Sequence, residues 1–169
     1  IVAMSFCEPR SWLNALSFLR PLGLRLGEYF SRQGIFENKL YAGIPELLSA
    51  LQAQGATLAI ATSKPDFLAE RIARHFGFRD RFTLICGGTA YGPCSTKAGV
   101  IRETLAQLRI DDPSQAVMIG DRRFDIEGAA AAGVESIGVL WGYGSREELE
   151  KASPGYLAAD IPELRRLLA

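Results

Sequence analysis

The chain has 169 residues and a mass of 18.4 kDa, which is the size of one domain with a sizeable core. Its 19 Lys and Arg residues balance 19 Asp and Glu residues, so it carries no net charge to attract nucleic acid or an anionic membrane surface. Hydrophobic residues make up 48% of the chain and charged residues 22%, a composition that excludes a largely disordered protein.

The chain contains three cysteines, Cys7, Cys86 and Cys94. An odd number in a chain large enough not to need disulfides predicts free thiols and a reducing compartment. The sequence also has no apolar run of the roughly 20 residues that a membrane span requires, and its start does not resemble a secretion signal. We therefore expect a cytoplasmic protein with no nucleic-acid or membrane partner. The single histidine, His75, ends a helical pattern, where helix-end capping is more plausible than a zinc site or a catalytic triad.

Residues 1–40 differ in pattern from the rest of the chain. Apolar residues recur there at helical spacing, from Trp12 to Leu19 and again from Leu26 to Phe30. Pro21 and Gly23 interrupt the run between them. This pattern predicts a helical hairpin or a fragment of one.

From Gly43 onward the sequence predicts alternating helices and strands. Pro45 suits a first helical turn, and Gly55 stands where a glycine is expected after a helix. Short apolar runs such as TLAIA and AVMIG are typical of strands buried on both faces of a parallel sheet. The predicted strands are 57–61, 82–86, 116–119, 136–140 and 155–158, and the helices after the first are 66–76, 97–108, 125–132, 146–151 and 162–168. The pattern predicts an open α/β sheet built from right-handed βαβ units.

Polar residues follow the predicted strands at the points where ligands bind in such sheets. Thr62 and Ser63 come directly after the first of these strands, Lys97 opens a helix, and Asp121 and Asp125 follow the AVMIG strand. Hydroxyl groups at a helix N-terminus and a lysine are suited to a phosphate group. Carboxylates are suited to Mg²⁺. The sequence therefore predicts a site for a phosphate and a divalent cation at one sheet edge.

Each of these residues also has a purely structural interpretation. Thr62 alone is an ordinary helix N-cap, and Lys97 alone an ordinary solvated lysine. Asp121 and Asp125 alone are ordinary first-turn acids. Asp125 lies one helical turn after Asp121, where it can ligate the ion, orient its water or hold Lys97. Their joint occurrence at successive strand ends favours the functional interpretation.

Three segments, TSKP, STKAGVI and IGDRRFDIEGAAAAGVESIGVLWGYGS, make the chain resemble haloacid dehalogenase-type phosphatases of the phosphoglycolate phosphatase branch. The resemblance runs from about Gly43 to Ala169. It implies an open Rossmann-like parallel sheet over residues 41–169, with residues 1–40 as a partial helical cap. It also implies a small phosphate ester as substrate, such as phosphoglycolate or a nucleoside monophosphate.

The same resemblance implies a role for each candidate residue. Thr62 would be the phosphate-binding hydroxyl, with Ser63 beside it, and Lys97 would stabilise the nucleophile and the phosphoryl charge. Asp121 and Asp125 would form the acidic Mg²⁺ site. The sequence does not specify an oligomeric state.

One motif of that family is missing from the sequence. The family's first strand ends in Asp-x-Asp-Gly-Thr, which supplies the nucleophile and the general acid/base, and nothing of that form occurs here. The favoured explanation is that the chain is part of a longer phosphatase and lacks this central strand. The alternative is that residues 2–6 fill the central strand, with Ser5 and Cys7 at the aspartate positions, in an inactive phosphate-binding relative. A third interpretation of residues 2–6 is an apolar helix start.

For the remaining polar and aromatic motifs, the sequence favours structural roles over ligand binding. Cys86 and Cys94 flank a glycine-rich loop, and their spacing favours small packed residues over a zinc site. Arg122 and Arg123 either contact the substrate or balance the negative charge of the acidic loop, residues 120–125, and charge balance is favoured. Tyr143, in the WGYG segment, is expected to pack rather than to recognise a ligand.

Overall fold

The computed structural model describes residues 2–4 and 40–169. Six parallel strands form one sheet in these residues, in the order β3-β2-β1-β4-β5-β6. The strands are β1 Val2–Met4, β2 Leu58–Thr62, β3 Leu84–Gly87, β4 Val117–Gly120, β5 Glu135–Val139 and β6 Tyr156–Ala158. The α-helices are α1 Ile44–Ala53, α2 Asp66–His75, α3 Lys97–Gln107, α4 Arg123–Ala132, α5 Arg146–Ala152 and α6 Ile161–Leu167. This is the predicted open α/β fold.

The helices pack on both faces of the sheet because the strand residues are apolar on both sides. All five residues of β2 are buried, and in β4 Met118 and Ile119 point into different hydrophobic clusters. One cluster joins the sheet to α1, α2 and α6, and the other joins it to α3 and α4. The core therefore has two halves, one on each side of the sheet.

The helix boundaries follow local capping signals. The Thr96 hydroxyl accepts a hydrogen bond from the Gly99 amide at the start of α3, and the Ser145 hydroxyl accepts one from the Glu148 amide at the start of α5. Most predicted elements lie within one or two residues of the observed ones.

The central strand is the main correction to the sequence analysis. β1 lies between β2 and β4, with Ala3 paired to Ala59 on one side and to Met118 on the other. The favoured prediction of a sheet lacking its central strand is therefore wrong for this chain. The alternative, in which residues 2–6 fill that strand, is confirmed over residues 2–4, where the predicted helix start is wrong. Residues 2–4 belong to the sheet and not to a cap, while the predicted cap over the rest of residues 1–40 lies outside the described residues.

Strands β1 to β3 form one half of the sheet and run outward in chain order, and strands β4 to β6 form the other half in the same way. The carboxyl ends of β1 and β4 therefore border a topological switch point, the place where ligands bind in open parallel sheets. In the described part of the chain, no helix is both long and apolar enough to cross a bilayer.

Candidate active site

The end of β2 presents Thr62, whose side chain is 2% exposed. Its hydroxyl oxygen accepts a hydrogen bond from the Lys64 amide at 3.2 Å, which fixes the turn into α2. Ser63 is exposed beside it. The two hydroxyl groups thus lie at the carboxyl edge of the sheet, immediately before a helix N-terminus, as the sequence predicts.

Lys97 connects the end of β2 to the start of α4. Lys97 is the first residue of α3, and its Nζ donates a hydrogen bond to the Ala61 carbonyl oxygen at 3.0 Å. The same Nζ lies 3.0 Å from Asp125 Oδ1, and the two side chains are 7% and 4% exposed. A buried ion pair with a further hydrogen bond holds its ammonium group in one position. Lys97 is therefore a fixed positive charge and not a solvated first-turn lysine.

Asp125 has both carboxylate oxygens engaged. Oδ1 pairs with Lys97, and Oδ2 accepts a hydrogen bond from the Arg122 amide at 3.1 Å. Gly120 makes room for this side chain, since a Cβ at Gly120 would lie 2.1 Å from Asp125 Cβ. Of the three roles that the sequence left open for Asp125, the geometry matches holding Lys97.

Asp121 follows β4 and is 6% exposed. Its Oδ2 accepts a hydrogen bond from the Tyr143 amide at 2.8 Å, and its carbonyl oxygen accepts one from the Gly144 amide at 2.9 Å. Cβ atoms at Gly142 and Gly144 would each lie 2.2 Å from an Asp121 atom, so only glycine permits this approach. The loop after β5 therefore fixes a buried carboxylate at the switch point.

The contacts of Tyr143 and Gly144 with Asp121 were missed by the sequence analysis, which expected Tyr143 only to pack. The alternating glycines of WGYG were the available signal, because glycines two residues apart allow a backbone to approach another chain segment closely. Their partner was not predictable, since it lies 22 residues away along the chain.

The other predicted features lie outside this cluster or serve the fold. Arg122 Nε pairs with Glu148 Oε1 at 2.7 Å, so α5 contributes a charge partner for Arg122. Burial raises the pKa of the Cys86 thiol, and Cys94 is half-buried. Among residues 2–4 and 40–169 no three His, Cys, Asp or Glu side chains group closely enough to hold a metal by themselves. His75 is the last residue of α2 and is exposed.

The residues brought together come from the ends of β2 and β4 and from the first turns of α3 and α4. Lys97 donates to the Ala61 carbonyl oxygen, next to Thr62 at the end of β2, Asp125 joins this group through its ion pair with Lys97, and Asp121 lies at the end of β4. Chemically, this is a fixed cation, a buried carboxylate and two hydroxyl groups at one sheet edge. β1 borders the same switch point, and its described residues are Val2, Ala3 and Met4, none of which is polar.

Comparison with known proteins gives the family of the chain. Residues 28–139 match the family model of the haloacid dehalogenase-like hydrolases. The chain is 40% identical over 163 residues to a 5'-nucleotidase of Pseudomonas aeruginosa, covering 96% of this chain and 70% of that protein. It is 43% identical over 141 residues to the tyrosine-protein kinase PtkA of Mycobacterium tuberculosis, covering 82% of this chain and 48% of the kinase.

A phosphoglycolate phosphatase of Vibrio vulnificus is 28% identical, with 81% of this chain and 60% of that enzyme covered. The chain thus spans between about half and 70% of the length of these relatives. A solved structure from Clostridium acetobutylicum, of a protein predicted to be a phosphatase, superimposes with a TM-score of 0.84 and 31% identity over 99% of this chain and 97% of that one. The chain belongs to the haloacid dehalogenase-like hydrolase family and has the fold of its phosphatases.

Proposed function

We propose that this chain carries the phosphoryl-binding half of a phosphatase site that acts on a small, soluble phosphate monoester. The supporting observation is Lys97, whose Nζ lies 3.0 Å from both the Ala61 carbonyl oxygen and Asp125 Oδ1. A buried ammonium fixed at the strand ends is suited to a phosphoryl oxygen. Thr62 and Ser63 add hydroxyl donors at the N-terminus of α2, where backbone amides also favour an anion.

Magnesium is the proposed metal, and Asp121 is the proposed protein ligand for it. Its carboxylate is buried at the switch point, and a hard carboxylate oxygen with phosphate oxygens and water is a donor set that Mg²⁺ accepts. When bound, Mg²⁺ would neutralise charge on the phosphoryl oxygens. Asp125 was also predicted as a ligand, but its oxygens already accept from Lys97 and the Arg122 amide. We therefore assign Asp125 to positioning Lys97.

The substrate class follows from the relatives and from the chemistry of the edge. A nucleoside monophosphate and phosphoglycolate are the two candidates, and both present a phosphate monoester on a small soluble molecule. The phosphate is what Thr62, Ser63 and Lys97 would bind. The rest of the substrate would contact other residues. We place the protein in the cytoplasm on its cysteine content.

Phosphate binding without hydrolysis is the second candidate function. It is favoured by β1, which fills the central position of the sheet with residues of this chain. The first aspartate in the sequence is Asp66, and in this interpretation Ser5 and Cys7 would stand where the family has its two aspartates. Hydrolysis through an aspartyl-phosphate requires that nucleophilic carboxylate. The two candidates share a phosphate site and differ in turnover.

One experiment tests both candidates on the full 169-residue chain. Inorganic phosphate is titrated by calorimetry with and without Mg²⁺, and hydrolysis of para-nitrophenyl phosphate is followed under the same conditions. Lys97→Ala is compared with Lys151→Ala, an exposed lysine on α5. Binding that is lost in Lys97→Ala and kept in Lys151→Ala supports the site, and turnover then separates the phosphatase from the binding protein. Equal binding by both variants would contradict the site.

A further inference from the structure

Helix α5 contacts the acidic loop, residues 120–125, which follows β4. Glu148 Oε1 accepts a hydrogen bond from Arg122 Nε at 2.7 Å and one from the Arg123 backbone amide at 3.1 Å. The side chains of Arg122 and Glu148 are 22% and 17% exposed, so the pair is largely shielded from solvent. One carboxylate oxygen therefore joins a side chain and a backbone amide of the same turn.

Arg123 is the first residue of α4, and Arg122 precedes it as the N-cap. A helix N-terminus has free amides and a partial positive charge, and the usual cap is a side-chain oxygen of the residue before the helix. Arginine has no acceptor atom and cannot supply one. Glu148 supplies the acceptor from another helix, 25 residues along the chain from Arg123.

The Arg122 backbone links this contact to the proposed phosphate site. Its amide donates to Asp125 Oδ2, and its carbonyl oxygen accepts from the Asp125 amide at 3.0 Å. Asp125 Oδ1 in turn holds Lys97. A shift of the Arg122 backbone would therefore be transmitted to the ammonium group of Lys97.

We propose that Glu148 is a positioning residue for the candidate site: its carboxylate caps α4 and anchors Arg122, and thereby holds Asp125 and Lys97 in place for a phosphoryl group. Together with the Tyr143 and Gly144 amides on Asp121, it makes residues 143–148 a clamp on the acidic loop. The part of this inference that concerns phosphate rests on the proposed function. The positioning of the 121–125 turn does not.

The test compares Glu148→Ala and Glu148→Gln with Glu147→Ala and Glu147→Gln in the full chain. Glu147 is the adjacent residue on α5 and is exposed, so its substitution makes the same chemical change without touching the turn. Backbone amide hydrogen exchange is measured at Arg123 and Asp125, relative to the Met118 amide in β4. Inorganic phosphate binding is titrated in the same samples.

In Glu148→Ala we expect exchange at Arg123 and Asp125 to rise about tenfold, as the loss of a hydrogen bond to a charged group implies. Phosphate affinity should fall about tenfold, the lower end of what is typical when a group that orients a ligating residue is removed. Glu148→Gln should lie between Glu148→Ala and the wild type, because the amide oxygen still accepts from the Arg123 amide. Both Glu147 variants should match the wild type.

Equal exchange at Arg123 and Asp125 in the Glu148→Ala and Glu147→Ala variants would overturn the inference. So would faster exchange without any loss of phosphate affinity, provided that the wild type binds phosphate. If the wild type binds none, the proposed function fails, and the exchange data still decide whether Glu148 positions the turn. Glu148→Gln keeps the test valid if Glu148→Ala does not fold.

Discussion

The ends of β1 and β4 border the same crevice, yet they differ in what they bring to it. Met4 of β1 pairs with Ile119 of β4, so the two strand ends lie side by side. After β4 come two buried carboxylates, Asp121 and Asp125, each held by hydrogen bonds or an ion pair. After β1 the sequence continues with Ser5, and no aspartate occurs before Asp66.

The difference separates two parts of phosphoryl chemistry. In the proposed site, binding of the phosphoryl group would depend on Thr62, Lys97 and Asp121, at the ends of β2 and β4 and at the start of α3. Attack on phosphorus by the mechanism of the family would depend on a nucleophile that follows β1. Because these groups lie on different strands, one can be kept while the other is replaced.

Introducing acids at the two positions that the sequence assigns to the family's aspartates should have the largest effect. The double substitution Ser5→Asp with Cys7→Asp should raise Mg²⁺-dependent hydrolysis of para-nitrophenyl phosphate on the order of 1000-fold, within the range that a positioned acid or base contributes. The uncharged pair Ser5→Asn with Cys7→Asn is the matched control and should stay at the wild-type rate. Unchanged hydrolysis in the aspartate pair, with phosphate binding intact, would contradict the assignment of the nucleophile position to these residues.

Breaking the buried ion pair should have the next largest effect. Lys97→Ala leaves the Asp125 carboxylate buried without its charge partner, and urea unfolding should show a loss of about 3 kcal/mol in the free energy of unfolding. Lys97→Ala combined with Asp125→Ala should recover part of that loss. A cost below about 0.5 kcal/mol for the single variant, the scale of an ordinary surface substitution, would show that the pair does not hold these two elements together.

The clamp on Asp121 can be disturbed without touching a polar side chain. A Cβ at Gly144 would lie 2.2 Å from the Asp121 carbonyl oxygen, so Gly144→Ala should cost about 2 kcal/mol of stability. Gly77→Ala, where φ is +71° and no atom lies within 4 Å of the added Cβ, should cost only about 1 kcal/mol. Phosphate affinity should fall in the first variant alone. Equal phosphate affinities in Gly144→Ala and Gly77→Ala would show that the loop after β5 does not support the phosphate site.

The smallest expected effect is a change in metal dependence. Asp121→Asn keeps the size of the side chain and an oxygen that accepts from the Tyr143 amide, but it loses the charge. The stimulation of phosphate binding by Mg²⁺ should fall about tenfold or be lost, since metal ligands are normally ionised carboxylates. Asp80→Asn, an exposed aspartate, is the control. If Mg²⁺ stimulates phosphate binding by Asp121→Asn as strongly as in the wild type, Asp121 is excluded as the metal ligand.

The sequence predicts most of the sheet because its strands alternate regularly with helices that have their own start and stop signals. It gives β1 only as the less favoured alternative for residues 2–6, because three residues are too few to show a period. The position of β1 depends instead on pairing with Leu58–Thr62 and Val117–Gly120, which lie more than 50 residues away along the chain. The sequence proposes Thr62, Lys97, Asp121 and Asp125 as candidates because they follow predicted strands or open the next helix.

What the sequence could not supply was the set of contacts between distant segments. The pairing of Arg122 with Glu148 and of Asp121 with the Tyr143 amide each joins residues more than 20 positions apart. Local patterns specify that Ser145 starts a helix, but not that Glu148 in its first turn faces α4. Such contacts depend on how α4 and α5 pack together, which no local spacing encodes.

The most direct test of the account is to locate a bound anion. Crystals of the full chain soaked in tungstate, a phosphate analogue with a strong anomalous signal, should show an anion whose oxygens lie within hydrogen-bonding distance of Lys97 Nζ and the Thr62 hydroxyl. That result would establish the phosphoryl site whether or not the chain hydrolyses esters. A well-occupied anion found only elsewhere, or none at this edge when binding in solution is saturated, would contradict the central claim.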